Sequence, residues 1–210
     1  MSQSQTGASA GMAAAPPRYT TGAIILHWLI AVLLLTNIGI AWYFNTLHGE
    51  AKTPPVQLHK SIGITILILS FVRLGWRLAF PPPRTPAHFR GWQKLLSEVV
   101  HVGFYVVMIG MPLSGWIFSS ASPLIRVYPI TLFNVVPWPA IGPLTNLPHD
   151  QMKAVHGLFV TIHGLLAKGA YALIVLHVAG ALKHQFIDRD GMAGRMIPFL
   201  GRRPSAEALP

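Results

Sequence analysis

Two histidines lie inside the last apolar stretch of the chain, which runs from Ala154 to Leu182. In a helix, the 14 residues between His163 and His177 correspond to a rise of about 21 Å. The same 14 residues bring the second side chain back to within about 40° of the first. One face of one helix then presents two imidazoles, one toward each side of a bilayer core about 30 Å thick. This is the arrangement expected for two metal centres stacked across a membrane, each with an axial histidine.

The composition predicts an integral membrane protein. Of 210 residues, 52% are hydrophobic and only 10% are charged, whereas a soluble domain has about 25% charged residues. The chain has no cysteine, which excludes disulfides, thiolate-bound zinc and iron–sulfur clusters. The formal charge is +10. Because the basic residues lie next to apolar runs, membrane topology explains them and no nucleic-acid partner is expected.

The apolar runs predict four membrane-spanning helices in one domain, residues 21–190. The spans are placed at about 22–44, 57–80, 95–120 and 154–183. We expect residues 1–20 to be a disordered tail without a cleaved signal peptide. Residues 121–153 are expected to form a periplasmic lid loop, either as a strand pair or as a short helix, and residues 191–210 a basic cytoplasmic tail.

The basic residues also predict the orientation of the bundle. Eleven Lys and Arg residues lie on the side of the two termini and the second loop, and four lie on the opposite side. The positive-inside rule then places both termini in the cytoplasm. The predicted fold class is therefore all-α, an integral membrane four-helix bundle with cytoplasmic N and C termini and with two metal centres stacked across the membrane.

Matching the histidines by depth gives two candidate ligand pairs. His27 and His177 both lie near the cytoplasmic side, and His59 and His163 both lie near the opposite side. Imidazole suits haem iron, and a six-coordinate bis-histidine site suits electron transfer. His156 rivals His163 as the outer ligand, although it would stand about 31 Å from His177.

Other polar residues near the spans are candidates for binding a cofactor or a quinone. Arg73 and Arg77 either anchor a helix end or bind haem propionates, and Lys60 and Lys168 are propionate candidates on the outer side. His101 and His184 are either interfacial histidines or the histidines of a quinone site, where imidazoles bond the carbonyls and transfer protons. Five glycines are candidates for packing against a porphyrin: Gly63, Gly103, Gly110, Gly115 and Gly180.

Several segments resemble the bacterial cytochrome b561 family of four-helix di-haem b membrane proteins. They are LHWLIA (26–31), LHKSIG (58–63), VRLGWRL (72–78), HVGFYVVMIGMPLSGW (101–116), LHVAGALKHQF (176–186) and RMIPF (195–199). The resemblance implies that His27, His59, His163 and His177 ligate two haem b groups and that His101 and His184 lie near a cytoplasmic quinone site. The additional His156 and the connection 121–153 depart from the family pattern.

One branch of that family passes electrons from superoxide to ubiquinone, so the resemblance implies a superoxide oxidase-like oxidoreductase of the bacterial inner membrane. The expected partners are the lipid bilayer, ubiquinone and a small periplasmic electron donor or a soluble redox protein. If the donor is superoxide, four basic residues would steer it: Lys52, Lys60, Arg126 and Lys153. One rival is a cytochrome b subunit that links a dehydrogenase or hydrogenase to the quinone pool. Another is a haem-free transporter or scaffold.

Overall fold

A computed structural model describes residues 18–83 and 91–197 of the chain. Four long helices dominate the described part: α1 (Thr21–Asn45), α2 (Thr53–Ala79), α3 (Gly91–Ser120) and α5 (His149–Leu182). All four are long and apolar enough to cross a membrane, which confirms the predicted four-helix membrane fold. The predicted tails fall largely on residues 1–17 and 198–210, outside the described residues.

Three of the long helices begin earlier than the hydropathy pattern indicated. They start at Thr53, Gly91 and His149, rather than near residues 57, 95 and 154. Two of these starts contain or follow proline, which is tolerated in a first helical turn because its missing N–H would be unpaired there. Polar residues at a membrane surface therefore extend each helix beyond its apolar stretch.

The helices pack as a chain of neighbours, with α1 against α2, α2 against α3, and α3 against α5. A buried cluster at the centre joins α1, α2 and α3: Ile30, Leu34, Ile62, Ile66 and Met108. Large apolar side chains are exposed on the outer faces of all four long helices, as expected for surfaces that contact lipid. α5 packs closely against α3 but not against α1 or α2.

The lid connection forms a small hairpin. Strands β1 (Thr131–Leu132) and β2 (Val136–Pro137) pair antiparallel. Three residues connect the strands. Phe133 and Asn134 both adopt positive φ, 52° and 59°, as the central residues of a type I′ turn do, and the Val135 N–H donates to the Leu132 carbonyl at 3.0 Å. A single helical turn, α4 (Gly142–Thr145), follows before α5. The sequence left open whether the lid forms a strand pair or a short helix, and the structure contains both.

Hydrogen bonds attach the lid to the bundle. The buried Ser61 hydroxyl of α2 lies 3.1 Å from the Thr131 carbonyl and accepts from the Phe133 N–H at 2.9 Å. On α3, the Trp116 indole donates to the Pro139 carbonyl at 2.9 Å, and the Ser120 hydroxyl accepts from the Ile141 N–H at 3.1 Å. These bonds hold the hairpin over the end of the bundle that contains the starts of α2 and α5.

At the opposite end, α5 continues into a π-helical turn, Lys183–Asp188, and then a short 3₁₀ turn, Ala193–Arg195. The Trp28 indole of α1 donates to the Met196 carbonyl at 3.0 Å. This hydrogen bond ties the segment after α5 to the start of α1.

Candidate metal centres

One pair of imidazoles, the outer pair, lies at the lid end of the bundle. His59 in the second turn of α2 faces His163 of α5, with ring centroids 6.2 Å apart. Both side chains are half-buried. The Phe44 ring of α1 and the Phe118 ring of α3 contact His59 and His163, each at 5.4 Å between centroids. Aromatic surfaces therefore limit the rotation of both imidazoles.

Hydrogen bonds define the tautomer of the outer pair. His59 Nδ1 lies 3.2 Å from the Asn37 carbonyl, and His163 Nδ1 lies 3.0 Å from the Met111 carbonyl. Because a carbonyl oxygen only accepts, both Nδ1 atoms must carry the proton. Each Nε2 then keeps its lone pair, which is the form in which histidine binds a metal.

A second pair, the inner pair, lies at the end that carries the termini. His27 of α1 faces His177 of α5 with ring centroids 6.0 Å apart. The Phe104 ring of α3 contacts His177 at 5.4 Å, and Trp28 contacts His27 at 5.4 Å. His101 of α3 also approaches His177, at 5.8 Å, so three imidazoles cluster at this end.

The spacing within each pair fits two ligands of one metal ion. With metal–imidazole bonds of about 2 Å and about 1.1 Å from the nitrogen to the ring centre, two imidazoles on opposite sides of one ion would have centroids about 6.2 Å apart. The observed 6.0 Å and 6.2 Å agree with that distance.

Helix packing favours His27 over His101 as the second ligand beside His177. A flat macrocycle held between two imidazoles needs room between the helices that carry them. α3 and α5 pack directly, and a Cβ on Gly103 would already approach Leu173 of α5 at 3.0 Å. α1 and α5 do not pack closely, and neither do α2 and α5. The geometry therefore suits a macrocycle between His27 and His177 and another between His59 and His163.

A pocket beside the outer pair has mostly apolar walls. Besides His59 and His163, it is lined mainly by aliphatic, thioether and aromatic side chains and by Gly63 and Gly115, with Lys60 and Ser119 as polar residues. Asn37 also lines it, and its Oδ1 is buried without a hydrogen-bond partner among the described residues. An apolar pocket with few polar groups is the usual setting for an organic cofactor. The residues present therefore fit haem.

Comparison with known proteins decides the family. The sequence profile described as prokaryotic cytochrome b561 matches residues 18–199. The chain belongs to this family. It is a multi-pass cytochrome b of the bacterial inner membrane that functions in electron transfer, and the family binds haem b.

Curated relatives agree with this assignment over nearly the whole chain. Cytochrome b561 homolog 2 of Escherichia coli (strain K12) is 29% identical over 185 residues, which cover 87% of this chain and 92% of the relative. The protein named probable superoxide oxidase CybB of Yersinia pestis is 30% identical over 189 residues, covering 86% and 96%.

The basic residues predicted to bind propionates occupy different surroundings in this cytochrome. Arg73 is half-buried, and its Nη1 donates to the Ala23 carbonyl of α1 at 3.5 Å, one turn from His27. Arg77 is exposed one turn further along α2. Lys60 is half-buried and lines the pocket of the outer pair. Lys168 of α5 is exposed and does not line that pocket.

His156 lies outside the outer pair. Its Nδ1 donates to the Phe118 carbonyl at 2.8 Å. It lines a second pocket, under the lid, together with Lys52, Lys60 and Tyr128. The Phe118 ring contacts both His156, at 5.6 Å, and His163, at 5.4 Å. The structure thus places His163 opposite His59 and places His156 in the space between the lid and the outer pair.

The predicted quinone residues lie at the inner end. His101 Nδ1 donates to the Ser97 carbonyl at 2.6 Å. His184, in the π-helical turn, has Nδ1 2.7 Å from Asp190 Oδ2 and 3.1 Å from Asp188 Oδ2. Lys183 also pairs with Asp188, at 2.5 Å. Titratable groups therefore concentrate around His184.

Sequence reasoning missed several residues that hold the histidines. Asn37, Phe104, Ser114 and Phe118 were not singled out, because a lone polar or aromatic residue in an apolar helix gives no signal of its partner. Asn37 is a partial exception, since an amide inside an apolar span is costly and therefore notable. Of the five glycines, Gly103 and Gly110 approach Leu173 and Leu166 of α5, so they serve helix packing.

Proposed function

We propose that this cytochrome transfers electrons from a donor on the periplasmic side to ubiquinone on the cytoplasmic side, using two haem b groups. His59 and His163 would bind the outer haem, and His27 and His177 the inner haem. The observation that carries this proposal is that two imidazoles face each other near each end of α5. Their ring centroids are 6.2 Å apart in the outer pair and 6.0 Å apart in the inner pair. Haem b, when bound, accepts and releases one electron at a time between Fe(III) and Fe(II).

The bundle itself fixes the distance between the two sites. His163 and His177 belong to one helix, so their Cα atoms remain about 21 Å apart. The buried cluster that contains Ile30, Leu34 and Met108 fills the space at the centre of the bundle. A packed core keeps water out and holds the two sites at a constant separation.

The outer end has features suited to a small anionic donor. Lys52 and Lys60 line the pocket under the lid, beside Phe118, which contacts His163. Arg126 and Lys153 are exposed on the same side. Cationic side chains around a recess attract anions and raise their rate of encounter. Together with the relative named probable superoxide oxidase, this supports superoxide as the donor.

The inner end has features suited to a proton-coupled acceptor. His101 donates through Nδ1 to a backbone carbonyl, so its Nε2 can take up a proton and then donate it to a quinone oxygen. His184, with Asp190, is placed to exchange protons with the cytoplasm. The reaction balances when two superoxide anions each lose one electron to give two O₂ while one ubiquinone gains two electrons and two protons to give ubiquinol. Arg73, Arg77, Lys60 and Lys168 remain the propionate candidates.

The domain limits are part of the same proposal. Residues 21–190 would form the electron-transfer domain, with the lid at 121–153 on the periplasmic side. Both termini would lie in the cytoplasm.

A test measures ubiquinone reduction by the purified, haem-loaded protein supplied with an enzymatic source of superoxide. We expect one mole of ubiquinol to form for every two moles of superoxide consumed. Added superoxide dismutase should abolish ubiquinol formation. Absence of ubiquinol with both haems present would contradict superoxide as the donor.

A second candidate is a subunit that receives electrons from a partner dehydrogenase or hydrogenase. The feature that favours it is the exposed apolar tip of the lid, with Phe133, Val135 and Val136 more than half exposed. Co-purification of a soluble redox subunit in stoichiometric amount would support this candidate over direct reaction with superoxide.

A further inference from the structure

The outer and inner histidine pairs differ in what their Nδ1 atoms contact. Both outer histidines donate through Nδ1 to protein oxygens: His59 to the Asn37 carbonyl, and His163 to the Met111 carbonyl. Neither His27 nor His177 makes a hydrogen bond to a residue within 18–83 or 91–197. The neighbours of the inner rings are aromatic: Trp28, Phe104 and His101.

Ser114 adds a second acceptor for His163. Its Oγ lies 3.0 Å from His163 Nδ1 and donates its own proton to the Met111 carbonyl at 2.6 Å. With its proton committed to Met111, the hydroxyl oxygen must accept from the imidazole N–H. The Ser114 side chain is 2% exposed, and hydrogen bonds shielded from water in this way are electrostatically stronger.

A hydrogen bond from Nδ1 to an acceptor raises the basicity of the imidazole and strengthens its donation to a metal through Nε2. A more basic ligand stabilises Fe(III) relative to Fe(II) and so lowers the reduction potential of the haem. The outer pair has three such acceptors on two ligands, counting Asn37, Met111 and Ser114. The inner pair has none among the described residues.

We propose that these hydrogen bonds give the outer haem a lower reduction potential than the inner haem, and that Ser114 is a positioning residue that sets the difference. This inference rests on the proposed bis-histidine ligation. The difference in reduction potential sets the direction of electron flow, because an electron that arrives at the outer site moves downhill in energy to the inner site. The protein would thus favour flow from the periplasmic to the cytoplasmic side without any gating motion.

The test is a spectroelectrochemical titration of purified, haem-loaded wild type and Ser114→Ala. The wild type should give two midpoint potentials. In Ser114→Ala the lower potential should rise and the higher one should stay constant, with two haems retained, because the Met111 carbonyl still accepts from His163. Ser114→Thr, which keeps the hydroxyl, should restore the lower potential.

Ser70→Ala is the matched control. Ser70 is fully buried, and its hydroxyl donates to the Ile66 carbonyl of its own helix at 2.7 Å without contacting a histidine. Its loss should leave both potentials unchanged. A His163→Ala protein that retains only the inner haem assigns the potentials, since its single value should match the higher one.

Two results would overturn the inference. One is a Ser114→Ala protein with two haems and unaltered potentials. The other is a His163→Ala protein whose remaining haem has the lower potential. A wild type that binds fewer than two haems would instead overturn the proposed ligation, and with it this inference, so the two failures are distinguishable.

Discussion

The two ends of the bundle hold their histidines in different ways. At the outer end, each imidazole is fixed by a hydrogen bond and a hairpin covers the site. At the inner end, three imidazoles cluster among aromatic rings, and a turn with two aspartates and a lysine follows. The outer imidazoles are therefore held by hydrogen bonds beside a pocket with two lysines, whereas the inner end is rich in groups that exchange protons.

This difference matches the two half-reactions of the proposed function. Oxidation of superoxide releases an electron and no proton, so the donor site needs attraction for an anion but no acid or base. Reduction of ubiquinone consumes two protons, so the acceptor site needs titratable groups near water. His184 and Asp190 provide titratable groups at the inner end. Lys52 and Lys60 provide positive charge for an anion at the outer end.

The largest expected effect comes from removing ligands one end at a time. His163→Ala should lose the outer haem and His177→Ala the inner haem, so that each protein retains one haem per chain and no longer reduces ubiquinone. His156→Ala is the control, and it should retain both haems because His156 does not face His59. Haem per chain is measured by pyridine haemochrome assay; loss of a haem in His156→Ala would reverse the choice of outer ligand.

His27→Ala and His101→Ala sharpen the comparison at the inner end. Both imidazoles lie near His177, but only α1 leaves room for a macrocycle beside α5. His27→Ala should therefore lose one haem, while His101→Ala keeps two and loses quinone reduction. If His101→Ala loses a haem instead, α3 supplies the inner ligand.

Charge reversal under the lid should have the next largest effect. Lys52→Glu with Lys60→Glu replaces two cations by two anions in the pocket. Since steering by charge raises rates by a factor of about 10 or more, the rate with superoxide should fall severalfold and lose its dependence on salt. Lys94→Glu, at an exposed position near the start of α3 at the inner end, is the matched control. Equal rates in the wild type and the double variant would exclude steering.

A smaller effect is expected when the hairpin loses its attachment. Ser61→Ala removes the hydroxyl that accepts from the Phe133 N–H in a part-buried hydrogen bond, and the loss of such a bond costs about 0.5–1.5 kcal/mol. Limited proteolysis should cut residues 131–137 faster than in the wild type or in Ser70→Ala. Cleavage at the wild-type rate would show that other contacts hold the lid.

A change in stability without a change in electron transfer is expected at the inner end of α1. A methyl group on Gly22 would overlap the Trp76 indole, whereas one on Gly39 would meet nothing. Gly22→Ala should lower the thermal midpoint by the equivalent of about 1–3 kcal/mol, as overpacking usually does. Gly39→Ala in the same helix should leave it unchanged or raise it slightly, because alanine favours helix. An unchanged thermal midpoint in Gly22→Ala would show that α1 and α2 can separate there.

Much of the fold follows from the sequence, because membrane spans are long and their apolar runs are uninterrupted. The depth of His27, His59, His163 and His177 follows as well, since helix rise converts position into height. Rotation about each helix axis is less predictable, and it leaves Lys168 exposed rather than in the pocket of the outer pair. It also brings His101 beside His177.

The partners of the histidines were beyond the sequence for a different reason. Ser114 contacts His163 across a separation of 49 residues, and no periodicity within either helix indicates which serine faces which imidazole. The hairpin of the lid was likewise undecided, since strands of two residues are too short to show alternation.

The most direct test of the account is the dithionite-reduced minus oxidised spectrum of the purified protein, with haem quantified per chain. The account predicts two haem b groups per chain, both low-spin and six-coordinate, as two bis-histidine sites require. A single haem, or a high-spin five-coordinate haem in the wild type, would contradict it.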